Sequence, residues 1–467
     1  MQDTDKTYDI VVVGGGPGGY TAAIRARQLG LSTALVEEEK LGGVCLNWGC
    51  IPTKALLKQA ELYRAIQNAD EFGFEVGSVS YNWDKVIGRS RDVAQRLAGG
   101  VEYLMGKNGV EVVPGRGRIT PARQVEVQPG PGDSFRLMAK HIILATGSRP
   151  RSLPGIELDG EKIITSKEAM SNRCRPDSLI VVGAGAIGVE FAYFYNAFGT
   201  RVKVLEALPQ VLPREDEEVA GLLAESLKAQ GIEVETGVRV EAVEKAAGQV
   251  TVRYKGEAGH QQETVDQVLM AVGVEGRIDG LGLEAAGVRT RRGFVDVDER
   301  LATNVKGIYA IGDMVGAPQL AHVAAAEGVA AVEFIAGHQR APIDRGLIPQ
   351  CIYCQPQVAS LGLNEAAARE AGHDVKVGRF PFQASGKAQA TGDTEGLVKL
   401  VFDARYGELL GASIIGSEAT ELIAEIGLAR KLEATYEELL DTMHAHPTLS
   451  EAVMEAAGAA FGQALNI

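Results

Sequence analysis

Cys45 and Cys50 stand five residues apart in Leu41-Gly42-Gly43-Val44-Cys45-Leu46-Asn47-Trp48-Gly49-Cys50-Ile51-Pro52-Thr53-Lys54. The glycines permit a bent approach of the chain, and Pro52 suits the first turn of a helix starting there. A thiol at a helix N-terminus with a lysine close by carries thiolate character. Two such thiols within closing distance form a redox pair able to exchange with a substrate disulfide. The spacing also fits two buried inert thiols, or half of a metal site lacking its other ligands. Further along, His444-Ala445-His446-Pro447-Thr448-Leu449-Ser450-Glu451 sets a histidine five residues before a glutamate. An imidazole beside a thiol pair can take and return the protons of thiol–disulfide exchange. A carboxylate on its second ring nitrogen fixes the tautomer and raises basicity. Taken alone, the same run fits a helix-capping turn with surface histidines. Cys351-x-x-Cys354 has redox or zinc spacing, yet no second cysteine pair or close histidine completes a metal site. Residues 348–358 read as extended chain, in which residues three apart face opposite sides. These two cysteines, and Cys174 before a proline-containing turn, are read as structural, and no metal is expected.

An internal repeat supplies the elements that must position these groups. An apolar strand, Ile10-Val11-Val12-Val13, leads into Gly14-Gly15-Gly16-Pro17-Gly18-Gly19, a helix to Gly30, a second strand over 33–36 and then Glu37. The pattern recurs 169 residues on: a strand over 179–182, Gly183-Ala184-Gly185-Ala186-Ile187-Gly188, a helix to Gly199, a strand over 201–205 and Glu206. In both copies the first fingerprint glycine and the closing glutamate are 23 residues apart. The first glycine makes the tight turn, the second lets backbone approach a pyrophosphate, and the third lets helix pack on strand. The pyrophosphate sits on the helix N-terminus and the acid accepts from ribose hydroxyls. The chain is therefore expected to bind two dinucleotides. At the second site Glu206 favours a free 2′-hydroxyl, and Ala207 and Leu208 offer no cation for a 2′-phosphate, so NAD is expected rather than NADP.

Between the repeats the pattern predicts a helical stretch over about 52–106, then a strand-rich segment closing at Ile142-Ile143-Leu144-Ala145-Thr146-Gly147. Alternating strands follow the second repeat through 238–272. Another apolar strand ends in Gly312-Asp313, and a helix spans about 320–335. A region of different texture begins near 346, with strands over 357–362, 396–402 and 409–415 and then helices. The predicted fold is α/β, with two Rossmann-like dinucleotide-binding domains, the second inserted in the first, and a C-terminal α+β domain. Boundaries are placed at 1–150, 151–278, 279–346 and 347–467.

Across 467 residues the chain is 45% hydrophobic and 23% charged, which excludes disordered, collagen-like and disulfide-scaffold classes. Glycine is abundant at 57 residues while aromatics are only 6%, as suits tight turns and close backbone approaches. A net charge of −14 argues against a nucleic-acid partner. The five cysteines are odd in number and sparse, so a reducing compartment, the cytoplasm, is expected. Met1 to Lys6 are polar, with no leader pattern, and no apolar run reaches the ~18 residues of a membrane span.

The C-x₄-C motif, the two dinucleotide repeats and the C-terminal histidine motif together resemble the flavoprotein pyridine nucleotide-disulfide oxidoreductases, from Tyr8 to about Gly462. Within them the chain is most similar to members that oxidise protein-bound dihydrolipoamide. That resemblance implies FAD and NAD as cofactors and a Cys45–Cys50 disulfide against the flavin. It implies Cys50 as the thiol facing the flavin and Cys45 as the one that exchanges with substrate. Lys54 would lie near the flavin N5, paired with Glu190 of the second, NAD-binding repeat. Gly14, Gly16, Gly19 and Glu37 would hold the FAD adenosine diphosphate, with Thr146-Gly147 and Gly312-Asp313 as the later FAD motifs. The helix opened by Ala321-His322 would face the flavin pyrimidine. Gly183, Gly185, Gly188, Glu206 and Gly273 would line the NAD site. His446 would be the acid/base and Glu451 its partner, supplied from the other subunit of a homodimer. The implied partners are a lipoyl-bearing acyltransferase or a glycine cleavage H protein. Glutathione reductases usually place arginines where this chain has Glu206 and Pro213, and mercuric reductases add a cysteine pair absent after Phe461. The chain departs from the family at 273–277 (Gly-Val-Glu-Gly-Arg), at 354–357 (Cys-Gln-Pro-Gln), and at Thr53 and Val323.

Overall fold

Residues 10–13 are apolar, mostly β-branched and too few for a buried helix. They lie in the central strand, Thr7–Val13, of a seven-stranded sheet. The computed structural model describes residues 7–246 and 248–467; Met1 to Lys6, read above as a polar lead-in, and Ala247 lie outside the described residues. In this sheet the parallel order is Glu111–Pro114, Thr33–Glu37, Thr7–Val13, Phe135–Leu144. The last of these strands takes an antiparallel neighbour, Gln124–Gln128, along its first half. Along its final residues it takes the parallel strand Ile308–Ala310. Everything between 144 and 308 is thus threaded in before the first sheet is completed. Helices Pro17–Gln28 and Ala321–Ile335 cover one face, and burial of both faces explains why the central strands show no polar alternation.

The inserted unit repeats the plan. Strands Glu233–Glu235, Arg201–Leu205, Ser178–Val182, Gln267–Met270 and Ile163–Ile164 form a parallel sheet, and a three-stranded antiparallel sheet spans 239–265. The atypical 273–277 run is ordered. Val274–Gly276 pairs antiparallel with Ser148–Pro150, and Arg277 N–H donates to the Gly147 carbonyl at 2.9 Å.

Three local expectations change. The helical stretch over 52–106 is two helices, Cys50–Gln67 and Trp83–Lys107, parted by Gly73 in the left-handed region (φ 79) and a segment without regular structure. A short helix, Gly43–Trp48, precedes the first of them, so Cys45 is itself helical. In the C-terminal sheet, ordered 350–352, 357–362, 409–416, 397–403 and 375–381, the edge strand Val375–Pro381 was not foreseen. There Gly378 lets the helix Glu451–Ala460 press onto the sheet, for a Cβ would stand 1.8 Å from the Ala456 carbonyl oxygen.

The inserted unit is fastened to the C-terminal sheet by an ion cluster built around the buried pair Lys399 and Asp216. Lys399 Nζ lies 2.9 Å from Asp216, 3.0 Å from Glu218 and 3.2 Å from Glu365, and Arg379 bridges the last two. Asp216 also caps the helix Glu217–Ala229. Removing the one ammonium among three carboxylates leaves buried charge uncompensated, so Lys399→Met is expected to lose about 3–5 kcal/mol of stability. Chemical denaturation of the variant beside the parent checks this.

Candidate active site

The two glycine fingerprints place their close approaches identically. Gly14 (φ 107) and Gly183 (φ 104) turn in a region closed to L side chains. A Cβ at Gly19 would fall 1.8 Å from Gly14 O, and one at Gly188 would fall 1.9 Å from Gly183 O. Both following helices, Pro17–Gln28 and Ala186–Ala197, start at a glycine with no side-chain cap and no acid in the first turn. Their first amides are therefore left for an anionic ligand. The closing acids are fixed alike: Glu37 accepts from Gly15 N–H at 2.6 Å and Glu206 from Ala184 N–H at 2.6 Å. Each carboxylate thereby braces its own phosphate loop, a use the sequence did not reveal.

A cleft open to solvent runs along the first fingerprint. Glu37, Gly14 and Gly16 line it, as do Thr146, Gly147, Gly312, Asp313 and Ala321, and Cys45 and Cys50 line it too. Its uncapped helix N-terminus and its run of glycines fit the flavin dinucleotide. Gly19 lies beneath the loop, and the side chain of His322 turns to the Pro349 carbonyl (3.0 Å), outside the cleft lining. Burial raises the Asp313 carboxyl above its ordinary range, while the Ser148 hydroxyl, donating at 2.6 Å, opposes that. Gly312 N–H donates to buried Glu327 at 2.7 Å, fixing the turn that carries Asp313. Ser148 and Glu327 were missed as site residues, although an acid inside an apolar helix was a visible signal.

The two thiols are held by different means. Gly42 (φ 89) and Gly43 (φ 55) bend the chain so that it crosses the first fingerprint, and a Cβ on Gly43 would meet Gly16 Cα at 2.7 Å. Asn47 Nδ2 donates to the carbonyls of Leu41 (3.0 Å) and Gly43 (2.9 Å), locking the short helix that carries Cys45. Arg91 donates to Asn47 O at 2.7 Å and covers the Trp48 ring. Cys50 opens the helix Cys50–Gln67, whose dipole favours negative charge there. Both cysteines are free thiols in hydrogen-bonding contact. The Cys45 thiol is pushed well above the ordinary thiol range by its bond to Cys50 and then by burial. Cys50 is lowered, first by that bond and, against its burial, by the Lys54 ammonium. The geometry distinguishes the two thiols, with Cys50 the preferred thiolate.

Lys54 Nζ lies 3.1 Å from Glu190 Oε1, so the redox helix is tied to the second repeat. Arg64 adds a second tie: it donates to Asn196 at 2.7 Å, bonds Gln230 and stacks on Tyr193. His446 Nδ1 is 2.9 Å from Glu451 Oε1, while Glu451 Oε2 accepts from Thr448 N–H at 2.8 Å. That amide and then His446 hold the Glu451 carboxyl below its usual range. His446 is 78% exposed and is not among the residues lining the cysteine cleft of its own chain. Neighbouring His444 instead buries its ring against Glu425 at 2.7 Å. Cys354 packs in the core shared by the redox helix and the inserted unit, whereas Cys351 packs against the core of the C-terminal sheet. Burial raises both thiols, Cys351 to about 11. Among the described residues no helix is long and apolar enough to cross a membrane.

Fold and site together define a two-dinucleotide disulfide redox protein. The chain belongs to the pyridine nucleotide-disulphide oxidoreductases, whose family pattern it matches over residues 8–328, with that family's dimerisation domain over 348–457. It is 49% identical to a dihydrolipoyl dehydrogenase of Rhizobium etli, over 99% of each chain. With that of Chlorobaculum tepidum it shares 50% over 98% of each. The Bacillus subtilis enzyme is 45% identical over 98% of this chain and 99% of its own. Among solved structures, LpdA of Mycobacterium tuberculosis superposes with a TM-score of 0.89 at 28% identity, covering 96% of this chain and 98% of that one. The HOCl-induced flavoprotein disulfide reductase RclA of Escherichia coli, in its Cu(II) complex, gives 0.87 at 27% identity, covering 97% and 99%.

Proposed function

We propose that this chain is a dihydrolipoyl dehydrogenase, oxidising protein-bound dihydrolipoamide to lipoamide with reduction of NAD. The observation that carries the reading is the unequal Cys45–Cys50 pair lining the dinucleotide cleft, with Lys54, on the same helix as Cys50, ion-paired to Glu190. The full-length likeness to enzymes of that name supports the substrate. Bound FAD supplies the two-electron link between the cysteine pair and the nicotinamide. In the oxidised enzyme a substrate thiolate attacks Cys45 Sγ, the Cys45–Cys50 bond breaks, and the electron pair leaves on Cys50. His446 of the partner subunit removes the proton of the second substrate thiol, which attacks the first substrate sulfur. That closes lipoamide and expels Cys45, which takes this proton back from His446 and leaves as a thiol beside the Cys50 thiolate. Cys45 and Cys50 then close their disulfide again, their electron pair and the Cys45 proton ending on NAD as a hydride, while the proton lost in forming the first substrate thiolate goes to solvent, so that one proton is released per turnover.

The glycines at 14, 16 and 19, with Glu37, Thr146, Gly147, Gly312, Asp313, Ala321 and the backbone of His322, are assigned to FAD. Gly183, Gly185, Gly188, Glu206 and Gly273 are assigned to NAD. The proposed working unit is a homodimer built through the C-terminal domain, in the cytoplasm, serving a lipoyl-bearing acyltransferase or a glycine cleavage H protein. The domain limits proposed for it are 1–150, 151–278, 279–346 and 347–467. Anaerobic titration of the purified protein with dihydrolipoamide is expected to bleach the flavin absorbance and raise a long-wavelength thiolate-to-flavin band, and adding NAD is expected to yield NADH. A flavin that stays oxidised with dihydrolipoamide yet gives the band with NADH moves the substrate to another disulfide. A protein that binds no flavin overturns the reading.

A further inference from the structure

The Lys54–Glu190 pair has a third member from a distant part of the chain. Lys54 Nζ stands 4.3 Å from the ring centroid of Tyr353. The Tyr353 backbone N–H donates at 3.0 Å to Glu190 Oε1, the same oxygen that Lys54 reaches at 3.1 Å. Glu190 is buried, so its carboxylate has these two donors and little water. Tyr353 itself cannot drift. Its neighbours Ile352 and Cys354 belong to the core that also contains Leu56 and Leu57 of the redox helix and Val189 and Phe191 beside Glu190, and its ring packs on that core. An ammonium over an aromatic face is attracted by the ring quadrupole, more strongly where water is excluded.

The geometry points to Tyr353 as a positioning residue of the redox centre: its ring and backbone amide hold Lys54 and Glu190 so that the ammonium stays within reach of the Cys50 sulfur. The inference rests on the proposed role of Cys50 as the thiolate facing FAD. A side chain of the C-terminal domain then sets the charge balance of a thiol pair in the first domain. Besides Lys54 and Tyr353, the groups acting on Cys50 and its partner thiol are Cys45, Glu190 and Asp313, while Tyr20 in turn feels both thiols. Cys351 and Glu421 also act on Tyr353.

The test uses the FAD-loaded, two-electron-reduced protein and reads the long-wavelength thiolate-to-flavin absorbance against pH. Tyr353→Leu is expected to raise the midpoint of its appearance by about 0.5–1 pH. Tyr353→Phe, which keeps the ring face, stays close to the parent. Tyr353→Met, of about the same volume as leucine but unbranched and differently shaped, is the second variant and follows Tyr353→Leu. In a Lys54→Met background the Tyr353→Leu shift is expected to vanish, since nothing remains for the ring to hold. An unshifted midpoint in Tyr353→Leu and Tyr353→Met overturns the proposal, as does an equal shift with Lys54 removed, which marks a packing effect. A parent protein that binds FAD but shows no such band overturns the Cys50 reading itself, and the proposal with it.

Discussion

Cys50→Ser is expected to lower dihydrolipoamide-dependent NAD reduction on the order of 10⁴-fold, because a nucleophilic pair works as a unit and half of it does nothing. Cys45→Ser is expected to cost as much in turnover. The two variants differ in what they leave behind. Without Cys45 the remaining thiol still opens the helix Cys50–Gln67 and still faces Lys54, so it keeps thiolate character and the long-wavelength absorbance persists at neutral pH. Without Cys50 the remaining thiol sits inside a short helix, where burial favours its protonated form against the weaker pull of Lys54, with Asp313 adding to burial. That variant is expected to bind flavin and show no such band. Spectra of the two reduced variants at neutral pH check the assignment, and the reverse pattern exchanges the roles of the two cysteines.

The asymmetry rests on local features that the sequence displays: a helix start at Cys50, Pro52 in its first turn, and a lysine four residues on. The paired fingerprints were equally legible, because only glycine tolerates the approaches at Gly14, Gly19, Gly183 and Gly188, and a strand-then-glycine pattern repeated in register specifies the same phosphate turn twice. Contacts between segments far apart in sequence were not legible. Nothing in the run around Tyr353 announces that its ring lies over Lys54, nor does the 315–335 region show that Glu327 caps the turn of Asp313. The edge strand Val375–Pro381 was missed because Phe380 falls out of step with Val375 and Val377 and because Gly378 and Pro381 weaken a strand pattern. The helical stretch expected over about 52–106 left its division into two helices unread, because the segment at 73–82 carries no proline to mark a break. The histidine motif divides the same way. Its pairing with Glu451 lies within one turn and could be read, whereas its place relative to the cysteines depends on how domains assemble.

That placement makes the last prediction a decisive one. His446 with Glu451 forms an oriented imidazole, its Nδ1 held at 2.9 Å by a carboxylate that the Thr448 amide keeps charged through the neutral range. The other ring nitrogen is free to handle protons, yet the ring is exposed and outside the cleft lined by its own Cys45 and Cys50. His446→Gln is expected to lower turnover about 10²–10⁴-fold, the usual yield of a positioned acid/base, with Glu451→Gln giving a smaller loss. Both variants keep flavin binding and the thiolate band, because neither touches the cleft. The arrangement can be separated from a same-chain site by mixing. A hybrid dimer of one Cys50→Ser chain and one His446→Gln chain contains one complete site if thiol and imidazole come from different subunits, and none if they come from the same one. Each homodimer is inactive alone, so co-refolded or co-expressed hybrids are expected to regain about half the parent activity per hybrid dimer. Mixtures that remain as inactive as the parent variants place the proton-handling group in the same chain as the thiols and require a movement that brings His446 to its own cleft.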